Sequence, residues 1–179
     1  MMEFYRNYSN LIEAIIIIVI AIPTLLALLR GAPFVPTPHA RVKKMLALAK
    51  IKKGEKVYDI GCGDGRSVYW AAKIFGANAE GIELSPLVYL WARIRKFFWR
   101  SKAKITFANL WWKNFSDADV IVFYLMPNLM PRLAAKFKKE LKPGTRIVSY
   151  AFQVKDLELL HRERRVRKRG FAPIWVYEI

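Results

Sequence analysis

Residues 57–66 read Val-Tyr-Asp-Ile-Gly-Cys-Gly-Asp-Gly-Arg, so an apolar run passes through an acidic residue into three alternating glycines. A buried strand that ends in a glycine-rich turn before a helix lets a nucleotide-like ligand approach the backbone, because no side chain stands between them. The spacing is Gly-x-Gly-x-Gly, which differs from the Gly-x-Gly-x-x-Gly spacing of dinucleotide-binding proteins. The stretch therefore predicts a strand, a ligand-binding turn and a helix.

The residues after this turn agree with that prediction. Four apolar residues at i, i+3, i+4 and i+7 indicate one face of a helix: Val68, Ala71, Ala72 and Phe75. Gly76 then stands where a left-handed residue commonly ends a helix. We therefore expect a helix between the glycine turn and Gly76.

Glu83 ends a second predicted strand, residues 79–83, and two roles are open for it. At this distance beyond the glycine turn, a carboxylate accepts hydrogen bonds from ribose hydroxyl groups. Alternatively, Glu83 supplies negative charge to the N terminus of the next helix, which Ser85 would cap and Pro86 would begin. We favour the ribose contact.

Strands and helices continue to alternate through the rest of the chain. Further strands are expected over residues 104–108, 118–124, 145–150 and 175–179. The helix that begins at Pro86 is expected to turn its arginines outward and to bury Leu87, Leu90, Trp91, Ile94 and Phe98. Repeated βα units predict a parallel sheet with helices on both faces and a ligand site at the carboxyl ends of its strands. The glycine turn, Glu83, Asn109 and Tyr124 should meet there.

The N-terminal part of the chain carries an excess of apolar residues. Of the 179 residues, 54% are hydrophobic, and the excess lies in residues 11–29, which only Glu13, Pro23 and Thr24 interrupt. As a helix this segment would be roughly 28 Å long, close to the thickness of a bilayer's hydrocarbon core. We predict one transmembrane anchor within residues 1–33, followed by a single α/β domain over residues 34–179.

Two other interpretations of the apolar segment remain open. A cleaved signal peptide is disfavoured, because Glu3 and Glu13 oppose Arg6 and no small-x-small cleavage site follows. A helix that packs on its own domain, or that lies in the membrane interface, would also be apolar.

The charge of the chain orients the predicted anchor. Residues 1–30 hold two basic and two acidic side chains, so the whole formal charge of +17 lies beyond the apolar segment. The positive-inside rule then puts the following domain on the cytoplasmic side of a single-pass membrane protein. Cys62 is the single cysteine, so no internal disulfide can form, which is compatible with a reducing compartment.

Basic residues recur throughout the domain, and the densest run is residues 162–169. Juxtamembrane basic groups bind anionic lipid with about 1 kcal/mol each. The same groups could bind the phosphates of a nucleic acid or form a solvated face. Because an anchor is predicted, we favour an anionic lipid surface as the partner.

Four segments make the chain similar to one class of enzymes. They are Phe-Val-Pro-Thr-Pro at residues 34–38, the glycine turn at 59–66, Asn-Leu-Trp-Trp-Lys at 109–113 and Leu-Lys-Pro-Gly-Thr-Arg-Ile-Val-Ser at 141–149. With these segments the chain resembles the class I, Rossmann-like methyltransferases that use S-adenosylmethionine. Within that class it is similar to the lysine methyltransferases of the ATP synthase c-subunit and the adenine nucleotide translocase, and to their prokaryotic relatives.

The resemblance implies a seven-stranded sheet, S-adenosylmethionine as cofactor, and transfer of methyl groups to an accessible lysine of a membrane-associated protein. It also implies a set of cofactor-binding residues: Thr37, Asp59, Gly61, Cys62, Gly63, Gly65, Glu83, Leu84, Asn109 and Leu110. The family usually has Asp where this chain has Asn109, although an amide oxygen can still accept a hydrogen bond from the adenine amino group.

Trp111, Tyr124 and Pro127 are the candidate catalytic residues around the acceptor amine. Aromatic walls can hold an ammonium group by cation–π attraction while they exclude water. Ordinary core packing is the alternative role for Trp111 and Tyr124. The acceptor lysine must lose its proton, and an apolar, cation-rich pocket lowers a lysine pKa in that direction.

The sequence lacks motifs that are typical of some other functions. Residues 123–127 have no Asn/Asp-Pro-Pro-Tyr pattern, which counts against methylation of adenine bases or glutamine amides. His39 and His161 have no cluster of partners, so no metal site is expected, and Cys62 between glycines suggests a small filler. Methylation of a membrane small molecule such as a lipid or quinone, methylation of RNA, and cofactor binding without catalysis remain open.

Overall fold

The computed structural model describes residues 8–19, 21–22, 34–164 and 170–179. Residues 8–19 form helix α1, and residues 21 and 22 are also helical. The elements that follow are α2 (His39–Leu48), β1 (Lys56–Ile60), α3 (Arg66–Phe75), β2 (Asn78–Glu83), α4 (Pro86–Phe98), β3 (Lys104–Phe107), β4 (Val120–Phe123), a 3-10 turn (Pro127–Leu129), α5 (Met130–Glu140), β5 (Arg146–Tyr150), β6 (Leu159–Glu163) and β7 (Ile174–Glu178).

The strands form one seven-stranded sheet in the order β3-β2-β1-β4-β5-β7-β6. Strands β1 to β5 are parallel, whereas β7 is antiparallel to both β5 and β6. The predicted seven strands are therefore confirmed, but the sheet is mixed, because β7 runs against its neighbours and is not part of a βα unit. The strand order reverses between β1 and β4, and ligands of open α/β sheets bind at the carboxyl ends of the strands beside such a reversal.

Two apolar clusters cover the two faces of the sheet. Successive side chains of a strand point to opposite faces, so Val120 and Val122 join the cluster beneath α2, α3 and α4. Ile121 and Phe123 of the same strand join the cluster that includes Leu133 of α5. A strand buried on both faces must be apolar at every position, which explains the continuous apolar sequence of β4.

The described part of the N-terminal segment is helical and exposed. All residues of α1 are exposed, including its isoleucines and leucine. Among residues 8–19, 21–22, 34–164 and 170–179, no helix is long and apolar enough to span a bilayer. Residues 20 and 23–29 of the predicted anchor lie outside the described residues, as do residues 165–169 of the basic run.

Helix α4 contradicts the predicted burial pattern. The five large apolar side chains expected in the core are exposed, and the fully buried residue of this helix is Ala92. Ala92 lies beside Gly65, where an added Cβ would stand 3.9 Å from the Cβ of Ala92, so only a small side chain fits beneath the helix. Arg95 also turns inward and pairs with the buried Asp64. The close approach and the buried carboxylate therefore determine which face of α4 packs on the domain.

Candidate active site

A cleft lies at the carboxyl ends of β1, β2, β3 and β4. Eleven of the predicted site residues line it: Thr37, Asp59, Gly61, Cys62, Gly63, Glu83, Leu84, Asn109, Leu110, Trp111 and Tyr124. Two predicted residues do not line the cleft. Gly65 is the residue before α3 and packs beside Ile105, and Pro127 is exposed at the start of the 3-10 turn.

The glycines of the turn are required by backbone angles and by close neighbours. Gly61 and Gly63 have φ values of 75° and 56°, which disfavour any residue with a Cβ. A Cβ added to Gly63 would lie 2.7 Å from the ring of Phe34, and one added to Gly61 would lie 2.8 Å from Leu125. The segment that contains Phe34 therefore packs directly on the glycine turn and forms one wall of the cleft.

Asp64 holds this segment, the glycine turn and α4 together. Its buried carboxylate accepts hydrogen bonds from Nε and Nη2 of Arg66, at 2.9 and 2.6 Å, and pairs with Arg95. Nη1 of Arg66 donates to the carbonyl of Thr37 at 2.7 Å. Burial alone would raise the pKa of Asp64, but the hydrogen bonds and charges of the two arginines hold it below its usual value. The sequence offered one signal for this role, an acid and a base within the glycine turn.

Glu83 fixes the backbone of the glycine turn and of the segment before α4, and it also lines the cleft. Its carboxylate accepts hydrogen bonds from three backbone N–H groups, those of Gly63 at 3.0 Å, Leu84 at 3.0 Å and Ser85 at 2.9 Å. Burial raises the pKa of Glu83, although these bonds oppose the shift. A carboxylate has about four acceptor positions, so capacity remains for a ligand hydroxyl group.

Ser85 carries a buried hydroxyl group that has no hydrogen-bond partner within the described part of the chain. It precedes α4 but makes no side-chain capping bond, so the predicted cap is not formed. Ser85 lines the cleft next to Glu83. Buried polar atoms are nearly always satisfied, so this hydroxyl requires a ligand or water as partner. The cleft thus fits a ligand with polar groups, such as a nucleoside.

Asp59 is the most perturbed acid of the cleft. Its pKa is raised to about 7, mainly by burial and also by the nearby charges of Glu83 and Asp64, against a hydrogen bond with Ser67 that lowers it. Near neutral pH this carboxyl group is therefore divided between its two protonation states. A cationic ligand in the cleft would favour the ionised form.

Trp111 and Tyr124 lie in the part of the cleft formed after β3 and β4, and both are half-buried. The guanidinium group of Arg132 stands 4.0 Å from the centre of the Trp111 ring. The side-chain oxygen of Asn109 accepts a hydrogen bond from the backbone N–H of Trp111 at 3.0 Å, which fixes the turn before this ring. Both rings also pack against the core clusters, so lining the cleft and core packing are combined here.

An aromatic group behind Tyr124 was not predicted from the sequence. The Tyr124 ring lies 5.0 Å from that of Tyr150, edge to face, and 6.2 Å from that of Phe152, stacked. Between these two residues Ala151 has a φ of 70°, which is rare for a residue with a Cβ. Ser149 donates its hydroxyl group to the carbonyl of Phe152 at 2.6 Å. A strained turn after β5 thus places Phe152 against Tyr124.

No cluster of three or more potential metal-binding side chains is found in the ranges that the structure describes. His39 instead accepts a hydrogen bond from the indole N–H of Trp70 at 2.9 Å. Burial raises the pKa of the Cys62 thiol well above its usual value, which is unfavourable for a nucleophile.

Both the sequence and the fold of this chain are similar to those of known proteins. A sequence model of the ANTKMT methyltransferase domain matches residues 59–161. A protein-lysine N-methyltransferase of Saccharolobus islandicus (strain REY15A) is 40% identical over 126 residues, which cover 69% of this chain and 78% of that protein. The ATP synthase c-subunit lysine N-methyltransferase of Homo sapiens is 31% identical over 82% of this chain and 61% of its own length.

Among solved structures, an RNA methyltransferase from Salinibacter ruber, in complex with S-adenosyl-L-homocysteine, superposes with a TM-score of 0.75. It is 29% identical in sequence, and the match covers 81% of this chain and 94% of that chain.

Proposed function

This chain belongs to the ANTKMT methyltransferase family and is an S-adenosylmethionine-dependent methyltransferase, and from this premise we propose that it methylates lysine side chains of a membrane-associated protein. The names of its relatives support the acceptor class, since they include a protein-lysine N-methyltransferase and an ATP synthase c-subunit lysine N-methyltransferase.

The observation that carries the proposal is the aromatic part of the cleft beside Arg132. When bound, the cofactor supplies a methyl group that its sulfonium already activates, so the residues around it need only orient the acceptor and exclude water. The rings of Trp111, Phe123 and Tyr124 provide an apolar wall for an aliphatic side chain. The positive charge of Arg132 favours the neutral amine, which is the nucleophilic form of lysine.

The opposite part of the cleft holds the residues for the cofactor. Glu83, a hydrogen-bond acceptor, and Ser85, whose hydroxyl group has no partner among the described residues, would bind the hydroxyl groups of the cofactor. Asp59, a buried acid, would balance the positive charge of the cofactor. Phe34 and the glycine turn enclose the same space. The cofactor's polar groups and the acceptor amine therefore have separate walls.

The first test is methyl transfer by the detergent-solubilised full chain, with labelled S-adenosylmethionine and membranes from the source organism. We expect label in a protein band that protease removes and ribonuclease does not, mapped to lysine by mass spectrometry. The control is Gly63→Arg, which requires a side chain at a φ of 56° where Phe34 leaves no space. Label that follows the organic phase would contradict the proposal in favour of a lipid or quinone acceptor.

RNA is the second candidate acceptor, because the similar solved structure from Salinibacter ruber is described as an RNA methyltransferase. The formal charge of +17 would also favour phosphate binding. In the same reaction, label that resists protease and is lost to ribonuclease would establish this alternative.

Membrane association is the other part of the proposal: residues 11–29 anchor a single-pass protein whose domain lies on the cytoplasmic side. Its support is the continuous apolar run of α1 from residue 14 to residue 19, whose isoleucines and valine are exposed and would be stabilised in an apolar environment. The basic residues that follow the segment support the orientation.

The anchor is tested by alkaline carbonate extraction and by protease treatment of intact and opened cells. We expect the full chain in the membrane pellet, with its domain cut only after the cells are opened. Recovery of the chain in the carbonate supernatant would contradict the anchor, and cleavage in intact cells would contradict the orientation.

A further inference from the structure

The outer face of α4 exposes six large apolar side chains. We call this face the α4 surface; it consists of Leu87, Leu90, Trp91, Ile94, Phe97 and Phe98. These positions recur at helical spacing and form one stripe, and the two phenylalanines are 78% and 76% exposed. Soluble monomers rarely expose a contiguous stripe of this kind, so it indicates an interaction site.

The charged residues of α4 and of the segment that follows it are all positive. Residues 84–116 contain no Asp or Glu, whereas Arg93, Arg100, Lys102 and Lys104 are exposed in this part of the chain. A second copy of the chain would bring a like-charged surface against this one, which opposes self-association. Anionic lipid satisfies both features, because it neutralises the arginines and lysines and accepts the apolar side chains.

We propose that α4 lies in the headgroup region of an anionic membrane, with the α4 surface inserted and Arg93 and Arg100 at the phosphates. Its composition is that of an interfacial helix, with Trp, Phe and Leu on the inserted side and basic residues beside them. Each exposed basic group adds about 1 kcal/mol of attraction to an anionic leaflet. This contact is distinct from the anchor at residues 11–29.

The position of α4 links this contact to the active site. The helix begins directly after Glu83, Leu84 and Ser85 in the wall of the cleft, and Arg95 pairs with Asp64 of the glycine turn. Exposed aromatic residues continue towards the cleft: Phe107 packs against Tyr89 of α4, and Trp112, 87% exposed, follows the cleft residue Trp111. When α4 is bound in this way, the entrance of the cleft lies close to the membrane surface.

The inference rests on the proposed membrane association, so its test must report on α4 itself. Full-length Ile94→Cys and Phe98→Cys variants would be labelled with the fluorophore NBD and reconstituted into vesicles of phosphatidylcholine with phosphatidylglycerol. Native Cys62 is buried and its raised pKa slows its labelling. Lys138→Cys, exposed on α5 on the other face of the sheet, is the matched control.

We expect doxyl-labelled lipid to quench the emission at positions 94 and 98 and to leave the emission at position 138 unchanged. The Arg93→Glu and Arg100→Glu double variant should lose most of this quenching, whereas Lys138→Glu with Lys139→Glu should keep it. Equal quenching at all three labelled positions would overturn the inference, as would labels at 94 and 98 that are shielded from aqueous iodide without being quenched by lipid. Neither result depends on methyl transfer, so the proposed acceptor is judged separately.

Discussion

Helices α3 and α4 follow neighbouring strands and pack on the same face of the sheet, yet they orient their apolar residues in opposite ways. In α3 the apolar stripe faces the core, where Val68 and Ala71 are buried. In α4 the corresponding stripe faces outward, and the helix packs through Ala92 and Arg95. Periodicity therefore identifies both helices, but the residues beneath each helix determine which face is buried.

Asp64 explains much of this difference. It is 1% exposed and pairs with Arg66, the first residue of α3, and with Arg95 in α4. Cationic partners keep this buried carboxylate ionised, and α4 supplies the second of them by turning Arg95 inward even though larger apolar side chains are available. Ala92, three residues earlier, then lies against Gly65 on the same side of the helix.

Removal of Asp64 is the test of the difference between α3 and α4 with the largest expected effect on stability. The Asp64→Ala substitution would leave two partly buried arginines without their acceptor, and we expect it to lower the free energy of unfolding by about 3 kcal/mol. Chemical denaturation measures this loss. Asp156→Ala, at an exposed position, is the control and should change stability by less than about 0.5 kcal/mol. An equal effect of both substitutions would show that Asp64 does not hold the two helices.

A second experiment compares the apolar stripes directly. Val68→Ala removes two buried methyl groups from α3 and should cost about 2 kcal/mol of unfolding free energy. Phe98→Ala removes a far larger side chain from α4 but should cost less than about 0.5 kcal/mol, because that ring is 76% exposed. Denaturation of both variants in the absence of lipid measures the difference. A greater loss for Phe98→Ala would restore the burial pattern that the sequence predicted.

Sequence patterns were sufficient where local rules apply and failed where distant residues meet. The strand and turn at residues 57–66 are encoded by adjacent apolar residues and glycines, and Glu83 follows at the spacing of a second strand. Other features depend on contacts between segments far apart in the chain: the packing of Phe34 on Gly63, that of Tyr150 on Tyr124, and the pairing of Arg95 with Asp64. No periodicity within one segment can report such contacts.

The two helices also differ in the serine that each brings to the cleft. Ser67, near the start of α3, forms a hydrogen bond with Asp59 and lowers its pKa, whereas the hydroxyl group of Ser85, before α4, is unpaired. Substitution of each serine by alanine should therefore have a different consequence for cofactor binding.

Cofactor affinity should rise with pH, because Asp59 is neutral below its pKa of about 7 and negative above it. The sulfonium of the cofactor is cationic throughout this range, so affinity should be about tenfold lower at pH 6 than at pH 8. Without ligand the sign is opposite: the folded state keeps a proton that the unfolded chain has lost, so this group's contribution to stability falls from about pH 4 to pH 7.

Isothermal titration across this pH range measures the midpoint of the rise in affinity. Ser67→Ala removes the hydrogen bond that lowers the pKa of Asp59, so it should move the midpoint to higher pH. Asp59→Asn should abolish the rise in affinity around pH 7. A midpoint that Ser67→Ala leaves unchanged would contradict the assignment of the titration to Asp59.

Ser85→Ala should have the smallest effect on cofactor affinity, and this effect should not depend on pH. It removes one hydroxyl group that has no partner within the described residues, so the protein loses no internal bond and its unfolding free energy should change little. If that hydroxyl bonds the cofactor, affinity should fall about fivefold at every pH, which corresponds to about 1 kcal/mol for one neutral hydrogen bond. Ser116→Ala, at an exposed position, is the matched control. Unchanged affinity in Ser85→Ala would mean that the cofactor does not use this hydroxyl group, and the segment before α4 would then serve the cleft through the backbone N–H groups of Leu84 and Ser85 that hold Glu83.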